Sequence, residues 1–229
     1  MPDLKVPPFR IGVFASGGGS NLQVILDKIK TGELPIEVAF VLSNNSKCGA
    51  LTRARDFGIP VYHVSSFTEG SEDKAALRIN DIVRTHTPDL LVLAGYMKKV
   101  PPILLTQLKN RILNIHPALL PAFGGEGFYG SRVHEAVIAR GAQFTGITIH
   151  MVNAAYDEGQ IILQKIVPVP IGTTAEQLAA KVLECEHAHF WRVILGFALG
   201  DIRPTNSDYP SKAVDLHAFQ QSMSPGHGA

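Results

Sequence analysis

The chain has 229 residues, 45% of them hydrophobic and 18% charged, with a formal net charge of +1. That length and composition suit one large soluble α/β domain, and the near-neutral balance excludes a broad electrostatic footprint for nucleic acid. The only cysteines, Cys48 and Cys185, stand far apart and outside any Cys-x-x-Cys spacing, which argues against a disulfide framework or a structural zinc site and for a reducing compartment.

In chain order, MPDLKVPPFRIGVFA lacks the apolar run of a signal peptide, and no stretch reaches membrane-spanning length. A cytoplasmic protein without a membrane partner is expected. FRIGVFA (residues 9–15) is the first strand and ends in SGGGSN. The next segment, NLQVILDKIKTGEL, places Leu22, Ile25, Leu26 and Ile29 at helical spacing. IEVAFVLS (36–43) is a second, near-continuous apolar strand. GALTRARDFG is a helix closed by Gly58, and IPVYHVS a third strand. SEDKAALRINDIVRTH opens with a capping pattern at Ser71 and Lys74 and continues as an amphipathic helix. DLLVLAGY (89–96) and ILNIH are further apolar strands.

Strands that are apolar on both faces and alternate with helices predict an α/β fold with a mostly parallel, twisted sheet flanked by helices. The second half changes character. TGITIHMV alternates with period two and QIILQKIVPV follows closely, so an antiparallel, hairpin-like pair is expected there. TTAEQLAAKVLECEHAHFWRVILGFAL is a long closing helix capped by Thr173 or Thr174. The expected organisation is a single domain over residues 1–200 and a polar extension over residues 201–229, which contains Pro204, Pro210 and Pro225.

The turn ASGGGSN lies at the first strand-to-helix junction, where glycines let a ligand approach backbone N–H groups at the positive end of a helix. Ser20 and Asn21 add a hydroxyl and an amide. No Gly-Lys-Ser/Thr follows, and Leu22 stands where a dinucleotide fingerprint needs its third glycine, so the turn suits a lone phosphate ester. A tight turn with an N-cap explains the same residues without a ligand.

RILNIHPALLPAF raises the sharper question, because it places an amide and an imidazole in an apolar strand. Asn114 and His116 are two apart and share a face, at the strand end where open α/β sheets bind ligands. Asp157 follows in the turn between the two later strands. With an amine nucleophile, such a trio serves acyl transfer. The amide donates to the developing oxyanion, the charged imidazole stabilises it and passes a proton, and the carboxylate keeps the imidazole charged. The competing account is a satisfied core histidine and a turn aspartate. A metal set of His116, His134 and His150 lacks a tight ligand spacing, and no metal is expected. His187 and His189, beside Glu184 and Glu186, suit a solvated helix face. GGEGFYG (124–130) is a lid or a surface excursion, and Met97 and Val100 line an apolar slot or pack in the core.

Together VFASGGGSNLQVI, PDLLVLAGYMKKV, ILNIHPALLPAF, TGITIHMV, YDEGQIILQKIVPV and ECEHAHFWRVI resemble the phosphoribosylglycinamide formyltransferases, over about Ile11 to Ala198. The resemblance implies a Rossmann-like formyltransferase fold and transfer of a formyl group from 10-formyltetrahydrofolate to the amine of glycinamide ribonucleotide, in purine biosynthesis. It implies catalytic roles for Asn114, His116 and Asp157. Gly18, Gly19, Ser20 and Asn21 would hold the phosphate, and Glu186 the ribonucleotide. The folate co-substrate would meet Met97, Lys98, Lys99, Val100, Asn114, Asn153 and Asp157, with VNAAYD folding around the pterin, while His134 and His150 line the site.

Three departures stand out. Lys98 replaces an arginine common in the family, which loses bidentate pairing. Glu72 or Asp73 stands where many members have another arginine, and the loop FGGEGFYGSRVH is long. The partners expected are small molecules, with the protein a monomer or homodimer. Two alternatives stay open, hydrolysis of the same formyl-folate and a non-catalytic phosphate-ligand module. Formylation of methionyl-tRNA would need an RNA-binding domain and a basic surface.

Overall fold

The computed structural model describes residues 8–204, so the polar extension beyond Pro204 lies outside the described residues. Seven strands form one sheet in the order β3-β2-β1-β4-β5-β6-β7. They are β1 (Phe9–Phe14), β2 (Ile36–Ser43), β3 (Val61–His63), β4 (Leu90–Leu93), β5 (Ile112–His116), β6 (Phe144–Met151) and β7 (Ile161–Pro168). β1 to β5 run parallel, whereas β6 and β7 pair antiparallel with β5 and with each other. The expected α/β sheet with an antiparallel C-terminal element is therefore what forms.

The helices are α1 (Ser20–Lys30), α2 (Gly49–Asp56), α3 (Ser66–Glu69), α4 (Glu72–His86), α5 (Pro102–Gln107), α6 (Ser131–Ala139) and α7 (Ala175–Leu199). The short α3, α5 and α6 are additions to the sequence reading. α3 and α5 span only four and six residues, too few to display a helical period. β4 is shorter than the apolar run Asp89–Tyr96, because the chain leaves the sheet after Leu93 to form the rim of a cavity. Ser71 caps α4 by accepting the Lys74 N–H at 3.1 Å. Of the two candidate threonines, Thr174 caps α7, in a reciprocal box with Gln177.

Apolar side chains bury on both faces of the sheet, as strands covered on both sides require. One core joins Ile11, Val13, Leu22, Leu26, Ile147, Phe190 and Ile194 beneath α1, α2 and α7. The other joins Phe14, Phe40, Ile79, Ile82 and Leu104 beneath α4 and α5. β1 and β4 are neighbours, and the chain winds outward from them in opposite directions, which opens a crevice at their carboxyl ends. No helix among the described residues is long and apolar enough to cross a membrane.

Candidate active site

β5 ends in this crevice, and its pairing with β6 sets Asn114 opposite His150 and His116 opposite Thr148. Asn114 Nδ2 donates to His150 Nε2 at 3.1 Å. His150 Nδ1–H in turn donates to the Met151 carbonyl at 2.9 Å, since a carbonyl can only accept. By the same logic His116 Nε2–H donates to the Phe123 carbonyl at 2.8 Å. Its Nδ1 then faces Asp157 Oδ2 at 3.6 Å. Asp157, held at φ 57° on the β6–β7 loop, also places Oδ1 3.5 Å from His150 Nε2 and accepts the Gly125 N–H at 2.9 Å. The residues predicted to act together thus lie together, with His150 and Gly125 added.

One expectation is overturned. Burial pushes the His116 pKa below its usual value, and it outweighs the upward pull of Asp157 and of the Phe123 carbonyl. The resting imidazole is neutral, so Asp157 does not keep it charged. Burial also pushes Asp157 up, but the neighbouring His150 and His116 rings and the Gly125 N–H together hold it below the ordinary carboxylate range. The resting site is an anionic carboxylate facing a ring nitrogen that carries a lone pair, an arrangement prepared to accept a proton.

The loop after His116 is fastened by a group the sequence reading did not single out. Thr148 is fully buried; its hydroxyl donates to the Ala118 carbonyl at 2.7 Å and accepts the Leu120 N–H at 3.0 Å. Gln164 Nε2 lies 3.0 Å from the same hydroxyl and 2.9 Å from the Leu120 carbonyl. Thr148→Val, which keeps the shape and removes the hydroxyl, should cost about 1–3 kcal/mol in chemical denaturation, because buried N–H groups lose their acceptor. It should also lower kcat, since this loop carries the Phe123 carbonyl that orients His116. Unchanged stability would show that the hydroxyl does not fasten the loop.

At the glycine-rich turn, Gly19 is the N-cap of α1 at φ 77°, and a Cβ there would lie 2.6 Å from the Ala50 Cα. Only glycine fits. No side chain caps α1, and its first turn carries no acid, so the helix end presents unclaimed N–H groups. Arg53 Nε donates to the Gly18 carbonyl at 2.9 Å, adding a cation that sequence spacing did not reveal. The Ser16 hydroxyl accepts the Met97 N–H at 2.9 Å, which couples this turn to the rim after β4. The Asn21 side chain is committed elsewhere, while its backbone N–H remains part of the uncapped helix end. Its buried Nδ2 donates to Glu186 Oε2 at 2.7 Å, so its amide faces the carboxylate of α7 instead of standing free for a phosphate.

Glu186 is itself buried, with 8% of its surface exposed, which corrects the expectation of a solvated helix face around it. His187 and His189 are half-buried beside it. Burial pushes the Glu186 pKa up to about 7 despite the bond from Asn21.

These elements enclose a cavity of about 690 Å³. Met97, Lys98, Lys99 and Val100 form one wall, with Val100 buried and the other three exposed. Asn153 and Asp157 stand on the facing loop, where Asn153 Oδ1 also accepts the Ala155 N–H. His134 and Glu186 line the wall formed by α6 and α7. Gly18, Gly19, Ser20 and Asn21 do not line the cavity itself; the Asn21–Glu186 bond joins the two places. Tyr156, within the VNAAYD segment, stands on the rim, and Lys99 Nζ sits over its ring at 5.2 Å from the centroid. Glu72 and Asp73 face a second cavity of about 580 Å³ that shares Lys98 and Lys99 with the first. Among the described residues no group of three or more His, Cys, Asp or Glu side chains is placed to hold a metal ion.

Fold and site together define a doubly wound α/β protein with an amide–imidazole–carboxylate centre and an anion-ready turn at its switch point. The sequence model of the Formyl transferase family matches residues 9–194, and the chain belongs to that family. The chloroplastic phosphoribosylglycinamide formyltransferase of Vigna unguiculata is 44% identical over 185 residues, covering 81% of this chain and 59% of that protein. The chain spans between 59% and 64% of the lengths of the plant relatives it matches. The crystal structure of glycinamide ribonucleotide transformylase 1 from Symbiobacterium toebii superposes with a TM-score of 0.80 at 39% identity, covering 87% of this chain and 92% of that one. A formyltetrahydrofolate deformylase from Pseudomonas syringae superposes with a TM-score of 0.78 at 26% identity, covering 88% and 65%.

Proposed function

We propose that this protein transfers a formyl group from 10-formyltetrahydrofolate to the amine of glycinamide ribonucleotide, a step of purine biosynthesis. The observation that carries the proposal is the meeting of Asn114, His116 and Asp157 with Glu186 in one cavity, next to an uncapped helix end. The names of the relatives supply the nucleotide acceptor and the formyl group, and a formyl-folate is named for the Pseudomonas deformylase of the same fold. The acting unit is the domain within residues 1–200, working on small molecules in the cytoplasm as a monomer or homodimer, without nucleic acid, membrane or metal.

The α1 end, with Gly18, Gly19 and Ser20, takes the phosphate, and Glu186 accepts hydrogen bonds from the ribose. The folate enters between the wall of residues 97–100 and the Asn153–Asp157 loop. The amine lone pair attacks the formyl carbon, a C–N bond forms, and the carbonyl electron pair moves to oxygen. Asn114 has a second N–H beyond the one given to His150, and it stabilises that oxyanion. The ammonium proton passes to His116 Nδ1, where the Asp157 carboxylate stabilises the imidazolium. Collapse restores the carbonyl and breaks the bond to the folate nitrogen, which takes the proton back.

The Pseudomonas deformylase fold supports a second reading, in which water replaces the amine. Incubation with both substrates should yield the formylated nucleotide, and omitting the nucleotide should abolish tetrahydrofolate release. Release at an undiminished rate without the nucleotide would select hydrolysis.

A further inference from the structure

One polar side chain in the cavity has no task in the mechanism above. α6 buries three residues, Val133, His134 and Val137, and the two valines pack as a helix face should. His134 is only 6% exposed, lines the reaction cavity, and has its Nδ1 buried without a hydrogen-bond partner. Leaving such a nitrogen dry is unfavourable, and an apolar side chain would pack the same position at no such cost. The residue type therefore asks for a partner that the protein itself does not provide.

Its location limits what that partner is. α6 packs on α7, so His134 shares a wall with Glu186, the group assigned to the ribose. Burial, and after it the proximity of His116, holds the His134 pKa below its usual value. The ring is therefore neutral, with one N–H donor and one lone pair. In glycinamide ribonucleotide the group between the ribose and the reactive amine is a carboxamide, which also offers one acceptor and one N–H. We propose that His134 binds this carboxamide and so positions the amine against the Asn114–His116–Asp157 centre; the inference rests on the function proposed above. His134 is a positioning residue on the nucleotide side and makes no demand on the folate.

The test is His134→Phe, which keeps a flat ring and removes both polar atoms, beside His134→Gln, which keeps a donor and an acceptor. His134→Phe should raise the KM for glycinamide ribonucleotide ~10-fold or more and leave the KM for formyl-folate within about twofold. Its Tm should hold or rise, since the orphaned nitrogen is gone, whereas a structural histidine would lower it. His134→Gln should recover part of the nucleotide KM. An unchanged nucleotide KM, or a fall in Tm with both KM values raised alike, overturns the proposal while leaving the activity established. Wild-type protein that neither formylates nor, by calorimetry, binds the nucleotide overturns the functional reading and this inference with it.

Discussion

His116→Ala should lower kcat for formyl transfer by ~10²-fold to ~10⁴-fold while changing the KM of either substrate little, as expected for a group that acts on the transition state. The expectation rests on its Nδ1, which lies 3.6 Å from Asp157 Oδ2 while Nε2 is committed to the Phe123 carbonyl. The pH dependence carries a sign. The reaction needs His116 able to accept a proton, and burial holds its pKa below the usual 6.5. At saturating substrates kcat should therefore persist as pH falls through 6.5 and decline only below it. Asp157 pulls the His116 pKa upward, so Asp157→Asn should move the acid limb of kcat to lower pH as well as reduce its height. An acid limb above 6.5 in the wild type, or one shifted upward in Asp157→Asn, would sink the neutral-imidazole mechanism.

That mechanism marks where the sequence was legible and where it was not. Period and punctuation located the long elements, because an eight-residue apolar strand such as β2 or a capped helix such as α4 declares itself locally. The two-residue spacing put Asn114 and His116 on one face at a strand end, but it left a satisfied core histidine as a competing account, which only the fold, by bringing Asp157 to 3.6 Å from His116, disfavours. The state of the imidazole was not legible, since it depends on how burial weighs against one carboxylate. Partners distant in the chain were hidden for the same reason: Asn21 meets Glu186 only after α1 and α7 pack, and Thr148 reaches Leu120 only across the sheet. Residues 205–229, the bulk of the predicted extension, lie outside the described structure.

Glu186→Gln should stabilise the protein at pH 8 and at the same time weaken nucleotide binding. Burial raises the Glu186 pKa from 4.5 to about 7. Between those values the folded state holds a proton that the unfolded state has released, so stability falls as pH rises, and the loss is complete once pH passes the folded value. The gap of about 2.5 pH units, at about 1.36 kcal/mol each, corresponds to about 3 kcal/mol as an upper bound. Glutamine avoids this cost and keeps an oxygen for Asn21 Nδ2. Denaturation across pH 5–8 should therefore show a declining wild-type stability and a flatter profile for the variant.

Binding should run the other way, because an ionised carboxylate accepts stronger hydrogen bonds from hydroxyls than an amide does. The loss of about 1.5–3 kcal/mol expected for a charged partner corresponds to a ~10-fold to ~100-fold weaker nucleotide Kd at pH 8. In the wild type, affinity should fall as pH drops through about 7. The nucleotide phosphate also titrates near there, but it does so identically in both proteins, so the difference between their profiles isolates Glu186. Parallel profiles would show that Glu186 does not hold the ribose. Diverging ones would show a carboxylate retained for its ligand against the stability of the fold, the trade-off expected of a binding group sealed into a core.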